Sequence, residues 1–169
     1  MYYINKTFTI ELNNSYKIVY NLLDDYYMFV GRRDSMITVY KHIEEELVSD
    51  CTVSDATKGS WVNLVNPDPD ELSLINILTE IPTDVLKTAL DMEERSHVEL
   101  EDNYIFVVIN IPVVRGNDMY DTVPLGIFLT PDFFITVCLE ESEVLYPFIS
   151  NQLSTFYTYK KTRFLFQIL

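Results

Sequence analysis

The chain has 169 residues, 48% of them hydrophobic, with 26 acidic side chains against 12 Lys and Arg, a formal net charge of −14. That length holds one domain with a sizeable core, which excludes a disordered chain, and the acidity repels nucleic acid and anionic lipid while suiting cations, basic partners or plain solubility. No run approaches the about 18 apolar residues a spanning helix needs, no secretory signal opens the sequence, and Cys51 and Cys138 lack metal-ligand spacing, as expected of free buried thiols in a reducing, cytoplasmic setting.

Residues 1–35 carry four acids and four bases, so the whole −14 belongs to residues 36–169. This shift sets residues 1–35 apart as an N-terminal extension of unassigned role, with a strand expected at Thr7–Leu12 and a helix from Ser15 to about Val30. From Met36, alternation of Ile37 and Val39 with Thr38 and Tyr40 predicts a strand, Glu46–Val53 a second, and Gly59–Pro67 a third that the proline ends. Asp68 then caps a helix over Pro69–Leu78, with Pro69 at its first position and Leu72, Ile75 and Leu78 on one face.

A short helix entered at Pro82 follows, apolar at Val85, Leu86, Ala89 and Leu90, with Asp84, Thr88 and Asp91 in one polar column on the other face. Asp91 also has Arg95 four residues on, a spacing that suits an ion pair. The β-branched run Tyr104–Ile111 predicts a strand in the middle of a sheet, covered on both faces, with Phe106, Val108 and Ile109 buried. A turn at Arg115–Asp118 and the strands Tyr120–Leu129 and Phe133–Leu139 complete an antiparallel meander. Ser142 caps a helix with an apolar stripe at Leu145, Phe148, Ile149, Leu153 and Phe156, and a last helix over Thr158–Leu169 shows no stop signal, as in a chain truncated within it. The expected fold class is α/β, a mixed, partly antiparallel sheet between helix layers.

No nucleophile motif, phosphate-cradling glycine loop or zinc spacing occurs, so an enzyme is not expected. His97, in the step toward a strand, reads as a surface or half-buried residue with ordinary hydrogen bonds rather than a ligand. The acid clusters at 44–46, 68–71, 91–94, 99–102 and 140–143 read mostly as solvated faces, and none has the spacing of a calcium loop.

Taken in order, Gly59-Ser60-Trp61-Val62-Asn63-Leu64, Ile81-Pro82 through Leu86, Leu90-Asp91-Met92-Glu93-Glu94-Arg95-Ser96-His97-Val98-Glu99, Tyr120-Asp121-Thr122-Val123-Pro124-Leu125-Gly126-Ile127 and Thr162-Arg163-Phe164 resemble the cytoplasmic N-terminal domain of CorA-family magnesium transporters. The likeness spans Met36 to Leu169. It implies a sheet between helix layers, and the regulatory, Mg²⁺-sensing part of a homopentameric channel for divalent cations, magnesium and by extension cobalt. The stalk, transmembrane helices and Gly-Met-Asn pore signature of that family are not within these residues, so the resemblance implies a soluble fragment, weakly oligomeric alone, at the cytoplasmic face of a membrane. Family members hold regulatory Mg²⁺ between subunits with adjacent carboxylates where this chain has Lys87 and Thr88. Asp84 and Asp91, flanking Thr88, are then the candidate metal ligands. The competing reading is a stand-alone acidic interaction protein that reuses the fold.

Overall fold

The computed structural model describes residues 7–12, 16–21, 26–30, 36–115 and 119–169, with side chains from 36 onward apart from 50 and 51. The chain divides into two compact units, Met1–Ser35 and Met36–Leu169. In the first, β1 (Thr7–Leu12), β2 (Tyr16–Asn21) and β3 (Tyr26–Val30) form an antiparallel meander, with Ile10 opposite Ile18 and Val19 opposite Met28. The helix expected over Ser15–Val30 is therefore two strands. Tyr16–Tyr20 and Tyr26–Val30 are rich in the aromatic and β-branched residues that favour a pleated surface.

The second unit is built on a seven-stranded sheet. Its strands and helices, in chain order, are β4 (Ile37–Ile43), β5 (Glu46–Cys51), β6 (Trp61–Val65), α1 (Pro69–Thr79), α2 (Thr83–Thr88), β7 (His97–Leu100), β8 (Ile105–Val114), β9 (Tyr120–Leu129), β10 (Phe134–Cys138), α3 (Tyr146–Ile149) and α4 (Lys161–Ile168). The sheet order is β5-β4-β6-β10-β9-β8-β7, antiparallel throughout except for the parallel pair of β6 and β10.

The strand expected in the middle of the sheet, β8, is flanked on both sides, by β9 and β7, but stands next to the edge. Phe106 and Val108 are buried, whereas Ile109 is only half-buried. The centre is β10, where all five residues are buried. Its partner β6 precedes it by about seventy residues, and that long-range parallel pairing decides which strand is central.

Alternation along the strands divides the core into two layers. Val62, Leu64, Ile135, Val137, Phe106 and Val108 point to the face covered by Leu72 and Ile75 of α1 and by Leu86 and Ala89 at α2. Trp61, Phe134, Val107, Leu125 and Ile127 point to the other face, covered by Leu145, Phe148, Phe156, Phe164 and Ile168. Each fully buried aromatic or aliphatic side chain contributes roughly 1.5–3 kcal/mol, and the aromatic packing of Phe164 on Phe134 and Trp61 anchors α4.

One polar network crosses the second layer. Trp61 Nε1–H donates to Thr136 Oγ1 (2.8 Å), which donates to Asn63 Oδ1 (2.7 Å), tying β6 to β10 through side chains as well as backbone. At Gly59, with φ of +88°, a side chain would also strike Tyr159 Cβ at 2.8 Å, so this turn requires glycine.

Local chemistry accounts for the helix limits. Asp68 accepts the Glu71 N–H (2.8 Å) while Glu71 accepts the Asp68 N–H (3.0 Å), a capping box that starts α1 as expected. The long helix expected from Ser142 to Phe156 is only the single turn of α3. Ser150 leaves helical geometry and Asn151 turns left-handed (φ 53°), yet Leu145, Phe148 and Phe156 still face the core. The last helix begins at Lys161 rather than Thr158. Cys138 is a buried free thiol, pushed up by burial; the Cys51 side chain and residues 116–118 of the expected turn lie outside the described residues.

Candidate functional site

The candidate cation ligands lie on α2 and in the turn that follows. Leu86 and Ala89 are fully buried against the sheet, which directs Asp84 and Lys87 to solvent. The approach is close because β9 has glycine at 126: a Cβ there would lie 2.3 Å from Ala89 Cβ.

The helix ends at Thr88, whose hydroxyl donates to the Asp84 carbonyl (3.2 Å). Tighter turns follow, with Leu90 N–H donating to Lys87 O and Asp91 N–H to Thr88 O. The polar column of Asp84, Thr88 and Asp91 is therefore not a single helical face, although both carboxylates are exposed. Asp91 does not pair with Arg95. Its Oδ1 accepts the Glu93 N–H (3.0 Å), an arrangement available because the chain has left the helix before Arg95 could return one turn above it.

The neighbouring corner of the sheet concentrates negative charge. Half-buried His97 sets its ring edge-to-face on Phe106, with Nδ1 2.7 Å from the Arg95 carbonyl and 3.4 Å from Glu94, and Nε2 3.4 Å from Glu99. Of the two settings expected for His97, surface or half-buried, the structure gives the half-buried one, with a hydrogen-bond contact to the Arg95 carbonyl. Burial first, then the charges of Glu101, Glu99 and Asp84, push the Tyr104 phenol above its ordinary value. The strand alternation of Glu99 and Glu101 was the signal for this grouping, which pattern alone assigns to a solvated face.

Among the described residues no three or more His, Cys, Asp or Glu side chains converge as a metal cage. The described residues therefore offer scattered carboxylates rather than a preformed cluster, and Mg²⁺, which keeps several of its waters, needs only one or two carboxylates from any one chain. Asp84 and Asp91 could supply part of a shell completed from elsewhere. Among the described residues no helix is long and apolar enough to cross a membrane.

A mixed seven-stranded sheet with helices matches the fold of the CorA soluble domain. The soluble domain of CorA from Methanocaldococcus jannaschii matches with a TM-score of 0.60 at 20% identity, over 78% of this chain and 53% of that one. The ZntB cytoplasmic domain from Vibrio parahaemolyticus RIMD 2210633 matches with a TM-score of 0.64 at 13% identity, over 80% and 57%. The complete CorA magnesium transporter of Methanocaldococcus jannaschii matches at 0.56 and 20% identity, over 70% of this chain and 38% of that one. The chain thus spans about half the length of the solved soluble domains it matches. No curated protein matches. The family model described as CorA-like Mg2+ transporter protein matches residues 57–169, and the chain belongs to that family.

Proposed function

We propose that residues 36–169 are the regulatory domain of a CorA-like divalent-cation transporter, held at the cytoplasmic face of a membrane by other parts of the full protein and assembled there as a homopentamer. Magnesium is the proposed cation, with cobalt as a second cargo. The observation that supports this reading is the family match over residues 57–169, which falls within the unit that has the sheet of transporter soluble domains.

Regulation in this reading is binding rather than catalysis. A cytoplasmic cation closes a pore only by favouring the closed arrangement over the open one. Because the described residues of one chain gather no cluster of three or more such side chains, a regulatory Mg²⁺ is proposed to be shared between subunits, with Asp84 and Asp91 as this chain's donors and Lys87 weakening the site.

The test is thermal unfolding of the chain with and without Mg²⁺. At a Mg²⁺ concentration equal to its dissociation constant, linkage adds about 0.4 kcal/mol, a rise in Tm of about 1–2 °C. The double variant Asp84→Asn with Asp91→Asn is expected to lose the rise. An equal rise in both proteins would move the sensor off this segment, to the acidic groups at 99–102 or 140–143.

A further inference from the structure

Strand β7 closes one side of the seven-stranded sheet, paired with β8 and, among the described residues, with no further strand. Glu101 N–H donates to Tyr104 O (3.0 Å) at the hairpin end, so the antiparallel alternation assigns the inward hydrogen bonds to the pairs 101/104, 99/106 and 97/108. The N–H and C=O groups of Val98 and Leu100 consequently point outward, along the open edge.

The side chains on this edge are sorted by face. Val98 (68% exposed) and Leu100 (78%) stand opposite Val107 and Ile105, and with Ile105 (37%) they extend the apolar second layer past the helices that cover it. Glu99 and Glu101 lie on the opposite face, with Glu94 and Asp84 nearby. Their only basic ion-pair partner among the described residues is His97. The edge therefore offers an apolar row, a backbone row and an acidic row in parallel.

We propose that β7 is a docking edge for an extended peptide segment of alternating apolar and basic side chains, which adds to the sheet as an eighth strand. Its apolar side chains cover Val98, Leu100 and Ile105; its Lys or Arg side chains meet Glu99 and Glu101; its backbone pairs with Val98 and Leu100. After burial, the charges of Glu101, Glu99 and Asp84 help raise the Tyr104 phenol, in keeping with acidic side chains gathered at this corner. A second copy of this edge would set Glu99 and Glu101 against like charges, which disfavours self-pairing. This surface does not depend on the transporter reading.

The probe is a capped, fluorescently labelled Lys-Val-Lys-Val-Lys-Val-Lys peptide, read by anisotropy against a block peptide of the same composition, Lys-Lys-Lys-Lys-Val-Val-Val. The alternating peptide is expected to bind at least about tenfold more tightly, the return from a few aligned hydrogen bonds and apolar contacts. Amide exchange should slow at Val98 and Leu100, and Leu100→Pro, which removes an outward donor, should bring the two peptides level. Glu99→Lys supplies an independent variant that keeps the backbone edge and should weaken the alternating peptide selectively. Equal affinities for the two peptides, meaning only attraction to the −14 surface, or slowed exchange elsewhere in the sheet, would overturn the proposal. So would concentration-dependent self-association that protects Val98 and Leu100, which would make a second copy the occupant.

Discussion

Replacing Gly126 by alanine should separate α2 from the sheet, because the added methyl would meet Ala89 Cβ at 2.3 Å, with Phe106 and Phe128 ring carbons at 3.4 and 3.5 Å. Ala89 has no rotamer with which to withdraw, so the strain falls on the backbone after α2. Overpacking of a buried site costs about 1–3 kcal/mol, and a clash between two backbone-fixed methyl groups belongs at the upper end. The reciprocal change Ala89→Gly should lose about 1–2 kcal/mol through a missing buried methyl and a looser chain. If the two effects merely added, the double variant would lie about 4–5 kcal/mol below wild type; relief of the clash should instead return it close to Ala89→Gly alone. Urea unfolding followed by the fluorescence of Trp61, the single tryptophan, measures all four proteins. The midpoint should move with the slope unchanged. A Gly126→Ala protein within about 0.5 kcal/mol of wild type, or a double variant that is simply additive, would refute the seating of α2 on a glycine.

Thr136→Val preserves shape but strands the buried Trp61 Nε1–H and Asn63 Oδ1, and should cost about 2–3 kcal/mol in the same assay; a near-neutral result would mean that the network adds nothing to the β6–β10 pairing. His42 Nδ1 accepts the Thr158 N–H while Thr158 Oγ1 accepts the His42 N–H, and burial holds the imidazole below its ordinary value. The unfolded chain therefore takes up the proton first as pH falls through about 6.5, so stability present above that pH is lost below it. Comparing wild type with His42→Asn between pH 7.5 and 5.5 should show the steeper loss in wild type, and parallel pH curves would refute it.

Much of the fold was legible because local rules and tertiary structure agree. The Asp68-Pro69 start of α1, the β9 to β10 hairpin and the two-sided apolar run of β8 each follow from short-range patterns. The errors share a cause. Ser15–Val30 and Ser142–Phe156 satisfy helical spacing, but neighbouring strands claim the first and the left-handed Asn151 breaks the second. The centre of the sheet was hidden because the β6–β10 contact is parallel and distant in sequence. At the candidate site, Asp84 and Asp91 are exposed as spacing implies, yet the end of α2 at Thr88 takes them off a common helix face and gives Asp91 to Glu93 N–H instead of Arg95. Helix length was the quantity that spacing alone could not supply.

The most direct test of a regulatory domain on a cation transporter is Mg²⁺ uptake into proteoliposomes containing the product of the whole reading frame to which this chain belongs, with Mg²⁺ varied on the side that carries residues 36–169. Uptake that falls as this Mg²⁺ rises through the millimolar range, and that loses the dependence when residues 36–169 are deleted, is predicted. Absence of cation uptake, or uptake indifferent both to Mg²⁺ on that side and to the deletion, would contradict it.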